Sequence, residues 1–303
     1  MKLFKPAPLR KGEKIGIVAP AGSVDEGQLN TGVNAVLEAG FQVELAPGIL
    51  GRIGYLAGEK EQRAKALEDF FHRPDIRAIF CARGGFGSVQ LLPFLDAEAI
   101  RRRPKIFVGY SDVSILLNWL LQQCGMVTFH GPMVANELAQ GLEGRNKDFF
   151  WGTLLGEKRQ WQIQLGAIIR PGVVQAPMIG GCLSTIVTTL ATPFEIETAD
   201  KILFLEDIGE KPYRIERMLT HLQMAGKFKG IAGLVFGSFT DCEGQEERGL
   251  VEIIRELFRD APYPVVEGLA AGHGKENILL PFGVQMALDG TAGVLSLLES
   301  PLA

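Results

Sequence analysis

The sequence predicts an α/β protein in two parts. An N-terminal domain on a doubly wound parallel sheet covers residues 1–150, a linker follows over 151–172, and a smaller C-terminal α+β domain covers 173–303. Three observations carry this reading. Short apolar runs of β type alternate with helical patterns through the first part, the signature of a parallel sheet with helices on both faces. A chain of 303 residues is long for one compact core. After Phe150 the pattern changes, with alternation over Gln160 to Gln164 and a break at Arg170-Pro171-Gly172.

The elements follow in order. The run Lys14 to Ser23 reads as a buried first strand followed by a glycine-bearing turn. A helix over Asp25 to Ala39 places Leu29, Val33, Val36 and Leu37 at helical spacing and stops at Gly40, before a strand at Phe41 to Leu45. A helix over about Glu59 to Phe71 is expected to turn Arg63, Lys65 and Glu68 to water. The strand Ala78 to Ala82 leads into the loop Arg83-Gly84-Gly85-Phe86-Gly87-Ser88. A β-type run from Lys105 ends in Gly109-Tyr110, Val113 to Gln123 is a helix, and Val127 to Phe129 is a strand ending at His130. The second part holds the run Ile202 to Leu205 ending in Glu206-Asp207, a helix around Tyr213 to Ala225 and a strand at Gly233 to Gly237. A helix at Leu250 to Phe258 follows, then Val265 to Leu269, the segment Ala271-Gly272-His273-Gly274 and two short strands near Val284 and Val294.

Composition narrows the function. With 31 basic and 35 acidic side chains the net charge is −4, which lacks the cationic surplus that nucleic acid requires. Arg101-Arg102-Arg103 reads as a solvated helix end closed by Pro104. The first fourteen residues lack the apolar core of a secretory signal, and no apolar stretch is long enough for a membrane span. The 4 cysteines are scattered with no C-x-x-C pair, so neither structural zinc nor a disulfide framework is expected. The expectation is a soluble, reduced, cytoplasmic protein with no nucleic-acid or membrane partner.

The segment from Lys105 to Asp112 bears most directly on chemistry. A serine between a buried strand and a helix stands at the carboxyl edge of the sheet, where open α/β folds place ligands. It also stands at a helix N-terminus, where free N–H groups and the dipole favour an anion. On this pattern alone, Ser111 reads equally as a nucleophile or, with Asp112, as a helix cap. A serine nucleophile needs a base, usually a histidine oriented by a carboxylate. Of 4 histidines, His72 reads as a surface helix end and His221 as an interior structural residue of its helix. His130 and His273 remain, and the glycines flanking His273 favour it. Glu206, at the end of an apolar run, is a candidate orienter, beside the plainer reading that it and Asp207 are solvated acids. The loop Arg83 to Ser88 could cradle a phosphate or lend a backbone N–H to an oxyanion hole. The Walker pattern is absent, and the glycine spacing does not fit G-x-G-x-x-G.

Taken together, Gly54-Tyr55-Leu56-Ala57-Gly58, Ala82 to Gly87, Gly109-Tyr110-Ser111-Asp112, Thr128 to Met133, Leu205-Glu206-Asp207 and Pro212-Tyr213-Arg214-Ile215 resemble the L,D-carboxypeptidases, also called muramoyltetrapeptide carboxypeptidases. The likeness runs in order from Lys14 to about Pro281. It implies a serine peptidase with Ser111 as nucleophile, Glu206 as orienter and His273 as general base. It further implies an oxyanion hole from the backbone amides of Gly85 and Asp112, and a catalytic site assembled at the interface of the two domains. The resemblance also implies a cytoplasmic homodimer, free of metal and organic cofactor, that removes terminal D-alanine from murein tetrapeptide fragments in cell-wall recycling. Arg83 is a candidate partner for the substrate's terminal carboxylate, since its fork suits bidentate binding; a structural ion pair is the plainer alternative. Two departures stand out. Cys182 occupies a position where many relatives carry asparagine, and Val113 replaces the second glycine of G-x-S-x-G, which disfavours an α/β-hydrolase. The rivals are a microcin-immunity-type peptidase acting on a nucleotide-peptide antibiotic and a non-catalytic sugar or nucleotide binder.

Overall fold

The computed structural model describes residues 3–243 and 249–303. The chain divides into two compact units. The first runs to Lys158 and takes back Ile278–Pro281 and Pro301–Ala303; the second holds Arg159–Asn277 and Phe282–Ser300.

The first unit carries strands β1 (Lys14–Val18), β2 (Gln42–Leu45), β3 (Ile76–Cys81), β4 (Ile106–Gly109) and β5 (Thr128–His130). Its helices are α1 (Glu26–Glu38), α2 (Lys60–His72), α3 (Ala97–Arg101), α4 (Ser114–Cys124) and α5 (Gly144–Leu154). The first five strands pair in parallel in the order β2-β1-β3-β4-β5. This is a doubly wound sheet whose order reverses between β1 and β3, so a ligand crevice is expected at the carboxyl ends of those two strands. Ile15, Ile17, Ile79, Phe80, Phe107, Val108 and Phe129 are buried on its strands, each contributing about 1.5–3 kcal/mol relative to exposure.

Local chemistry bounds two of these helices. Asp25 caps α1 by accepting the Gln28 N–H at 2.9 Å. Gly125, left-handed at φ 65°, stops α4 and turns the chain toward β5. Arg63 is a correction: it is buried, not turned to water. It lies on the same stripe of α2 as the buried Leu67, Phe70 and Phe71 and spends its donors on loop carbonyls at the sheet's carboxyl edge.

The second unit contains strands β6 (Trp161–Gln164), β7 (Ile168–Arg170), β8 (Val173–Cys182), β9 (Ile202–Ile208), β10 (Gly233–Thr240) and β11 (Val265–Val266). It also contains helices α6 (Leu183–Val187), α7 (Pro212–Met224) and α8 (Leu250–Phe258). Strand β12 (Leu280–Phe282) joins the first sheet beside β5, while β13 (Gln285–Asp289) and β14 (Val294–Leu297) complete the second. The second sheet runs β6-β14-β13-β8-β9-β10-β11-β7, parallel through β8 to β11 and antiparallel toward both edges. Residues 151–172, expected as a linker, hold the end of α5 and the strands β6 and β7. Trp161 and Ile163 are buried while Gln162 and Gln164 are exposed, so the alternation that interrupts the apolar runs is an edge strand covering a core. His221 is exposed rather than interior, because the buried stripe of α7 runs through Ile215, Leu219 and Leu222. Among the described residues, no helix is long and apolar enough to cross a membrane.

Candidate active site

The site residues expected from the sequence fall into two groups, one in each unit. In the first unit, β4 ends at Gly109, and a Cβ added there would meet Val113 Cγ1 at 2.7 Å. Glycine lets the chain turn back this tightly. Ser111 follows at φ 61°, a left-handed conformation uncommon for a residue with a side chain. One turn of 3-10 helix, Ser111–Val113, then leads into α4. From Lys105 to Leu121 every residue is buried except Ser111, which is partly exposed. A strained strand-to-helix turn thus presents one hydroxyl from an otherwise closed segment, the geometry that suits a nucleophile.

The glycine-rich loop lies against this serine. A Cβ on Gly84 would stand 3.0 Å from Ser111 Oγ and 3.5 Å from the Asp112 nitrogen, so the missing side chain keeps that approach open. Gly85 adopts φ 104°, and its N–H donates to no group among the described residues. The Asp112 N–H sits in the first turn of a helix, where the usual acceptor four residues back is lacking. Arg83 is exposed, with Nη1 donating to the Ser23 carbonyl at 2.9 Å.

In the second unit the structure brings Glu206 and His273 together. Glu206 is fully buried within β9 and stands opposite Cys182 of β8. Its Oε2 lies 2.7 Å from His273 Nδ1 and accepts the His273 backbone N–H at 3.1 Å. A carboxylate holding the Nδ1 hydrogen leaves Nε2 as the basic nitrogen. The loop around His273 is braced on both sides. The Gly272 N–H donates to the buried Asn277 Oδ1 at 3.0 Å, and a Cβ on Gly274 would meet Ser238 Oγ at 2.4 Å.

The neighbouring groups take structural roles. Asp207 is buried rather than solvated; it accepts the Ser184 N–H at 2.7 Å, the Ser184 hydroxyl at 3.1 Å and the Ile208 N–H at 2.9 Å. Burial raises its pKa, and these hydrogen bonds pull against that shift. Burial also pushes the Cys182 thiol well up, with the charges of Glu206 and Asp207 adding to it. His130 is fully buried in β5, its ring edge-on to Tyr110 with centroids 5.7 Å apart. Tyr110 donates its hydroxyl to Glu137 Oε1 at 2.5 Å.

Two groups escaped the sequence reading, the Arg63 guanidinium and the Asp112 carboxylate. Asp112 Oδ2 accepts the Ser88 N–H at 2.8 Å. Burial raises its carboxyl pKa, while the backbone N–H donors and Arg63 oppose the shift. A signal for Arg63 was present, since positions 63, 67, 70 and 71 form one helical stripe. For the Asp112 carboxylate no local signal exists, because its partner lies 24 residues away.

Known proteins share this architecture. A model of the LD-carboxypeptidase N-terminal domain matches residues 15–131, and one of the LD-carboxypeptidase C-terminal domain matches residues 175–288. The chain is 34% identical over 303 residues to a probable murein peptide carboxypeptidase of Bacillus subtilis, covering 98% of this chain and 95% of that protein. It is 28% identical over 336 residues to the microcin C7 self-immunity protein of Escherichia coli, with coverage of 98% and 96%. The crystal structure of muramoyltetrapeptide carboxypeptidase from Oxalobacter formigenes superposes with a TM-score of 0.86 at 29% identity, covering 94% of this chain and 97% of that one.

Proposed function

Since the chain belongs to the LD-carboxypeptidase family of peptidases, we propose that it is a serine carboxypeptidase that releases the terminal D-alanine of murein tetrapeptides by hydrolysing the L,D-peptide bond. The observation that carries this is the Glu206–His273 pair at 2.7 Å, matched by a serine held at φ 61° on a strand-to-helix turn. Ser111 Oγ attacks the scissile carbonyl while His273 Nε2 takes its proton, and Glu206 holds the imidazole in the required tautomer. The tetrahedral oxyanion accepts from the Gly85 and Asp112 N–H groups. Collapse breaks the C–N bond, and His273 returns the proton to the leaving D-alanine amine. Water, activated by the same imidazole, then hydrolyses the acyl ester. Arg83 pairs with the substrate's terminal carboxylate.

The substrate class is supported by the names of the relatives, a probable murein peptide carboxypeptidase and a muramoyltetrapeptide carboxypeptidase. The reading further takes the enzyme to be a cytoplasmic homodimer, as the family likeness implies. Purified protein incubated with murein tetrapeptide should release D-alanine, and Ser111→Ala and His273→Ala should each abolish release. Wild-type release by Ser111→Ala would refute the mechanism. A second reading, cleavage of a nucleotide-peptide antibiotic, draws on the likeness to the microcin C7 self-immunity protein. The ratio of kcat/KM on the two substrates decides between them.

A further inference from the structure

The peptide group joining Gly87 to Ser88 is held at both ends by buried charged side chains. Its carbonyl accepts from Arg63 Nη1 at 3.1 Å, and its N–H donates to Asp112 Oδ2 at 2.8 Å. Arg63 and Asp112 are 4% and 2% exposed, so water competes little for either bond. The bond from Arg63 has a charged donor, which makes it stronger than a neutral one.

Arg63 reaches further around the same edge. Nε donates to the Gly58 carbonyl at 3.1 Å, Nη2 to Gln90 Oε1 at 2.7 Å, and Nη1 also to the Pro20 carbonyl. One guanidinium therefore binds the loop after β1, the loop before α2 and the loop after β3. Gly87 sits at φ 135°, and a Cβ there would stand 2.8 Å from Nη1. The missing side chain lets the guanidinium in. On the other side, the Gly22 N–H donates to the Gly84 carbonyl at 2.9 Å, so the loop is tied again one residue before Gly85.

We propose that Arg63 and Asp112 are positioning residues that set the Gly85 N–H against Ser111 by gripping opposite ends of the Gly87–Ser88 peptide. The proposal rests on Ser111 being the nucleophile. The two oxyanion donors then come from the Asp112 amide and from a loop that the Asp112 side chain itself fastens. Their spacing is thus set by one residue and the three-residue path from Gly85 to Ser88, rather than by the general stability of the fold. A donor displaced by a fraction of an ångström still binds a ground-state carbonyl, but it stabilises the developing charge less.

The test compares Asp112→Ala, Asp112→Asn and Arg63→Lys for kcat, KM and affinity for an N-acylated L-aminoalkylboronic acid. Addition of Ser111 Oγ to that boron, with the proton passing to His273, forms a tetrahedral anion that calls on the oxyanion donors. Asp112→Ala should lower kcat roughly 100-fold with KM changed less than about threefold, and boronate affinity should fall in parallel. Asp112→Asn, which keeps an acceptor for the Ser88 N–H, should recover at least about tenfold of that loss. Unchanged boronate affinity in Asp112→Ala, or equal losses in the Ala and Asn variants, would overturn the proposal. If Asp112→Ala does not fold, the double variant Arg63→Lys/Asp112→Asn decides. Because both groups hold one peptide, the combined kcat loss should fall well short of the product of the single losses, and full multiplicativity refutes the idea. An active Ser111→Ala protein would instead remove the reading of the site on which the proposal stands.

Discussion

Glu206 Oε2 fills the place where a side chain on residue 272 would begin: a Cβ built on Gly272 would meet that oxygen at 2.4 Å and Glu206 Cδ at 2.8 Å. Gly272 also sits at φ 106°, where a side chain is strained whatever the space. The contact between the His273 loop and β9 is therefore a fit between a carboxylate and a missing methyl group. Gly272→Ala should push the loop off Glu206, lengthening the 2.7 Å contact to His273. We expect kcat to fall at least about 100-fold, in line with the sensitivity of catalysis to misplacement of about 1 Å. Wild-type kcat for Gly272→Ala would show that the close approach does not serve the reaction.

Ser111 supplies the second prediction. A non-glycine residue in the left-handed region costs about 1–2 kcal/mol, whereas glycine occupies it freely but raises the entropy of the unfolded chain by about 0.4–1 kcal/mol. Removing the hydroxyl is common to Ser111→Ala and Ser111→Gly, so their difference isolates the backbone. Ser111→Gly should be the more stable by up to about 1.5 kcal/mol in urea unfolding. A less stable Ser111→Gly protein would mean that the turn stores no such strain.

The cysteines set the response to alkaline pH. All four are buried and none forms a disulfide. Burial pushes the Cys124 thiol up to about 12 and the Cys242 thiol up to about 11, and holds Cys81 and Cys182 well above the ordinary range. Below about pH 9 both folded and unfolded thiols keep their protons, so this contribution is fully present. Above it the unfolded chain loses protons that the folded chain retains, and stability falls as pH rises toward the folded values. Lys105, pushed down to about 8 by burial, acts in the opposite sense between about pH 8 and 10.5, as does Tyr213, held down by its hydrogen bond from Arg214. Tyr263, pushed up to about 12 by burial, and Lys14, raised by Asp75, act with the cysteines. The Tm should therefore drop from about pH 9 upward, and the Cys124→Ala/Cys242→Ala variant should flatten that drop. Rapid reaction of the native protein with a thiol-directed disulfide reagent at pH 8 would contradict it.

Much of the fold was legible because its causes are local. Apolar runs marked β1, β3, β4 and β9 within a few residues, and Asp25 and Gly40 bounded α1, since capping and left-handed turns depend on neighbours in the chain. Residues 151–172 misled because the Trp161–Gln164 alternation belongs to an edge strand, which one sequence does not distinguish from a polar connection. Arg63 misled for a different reason. A charged residue on an apolar stripe is ordinarily a solvated one, and only converging loop carbonyls make its burial affordable.

The candidate site divides along the same line. The sequence by itself determined Ser111 at a strand-to-helix turn, a glycine loop after β3 and a histidine between two glycines, because each is a property of a few consecutive residues. Tertiary structure alone decided that Glu206 meets His273 across 67 residues of chain, and that Asp112 and Arg63 close on one peptide from opposite sides. Those pairings follow from strand register, loop closure and the exclusion of water. They arise only when distant segments fold onto each other, since a buried charge is stable only where the fold brings it partners.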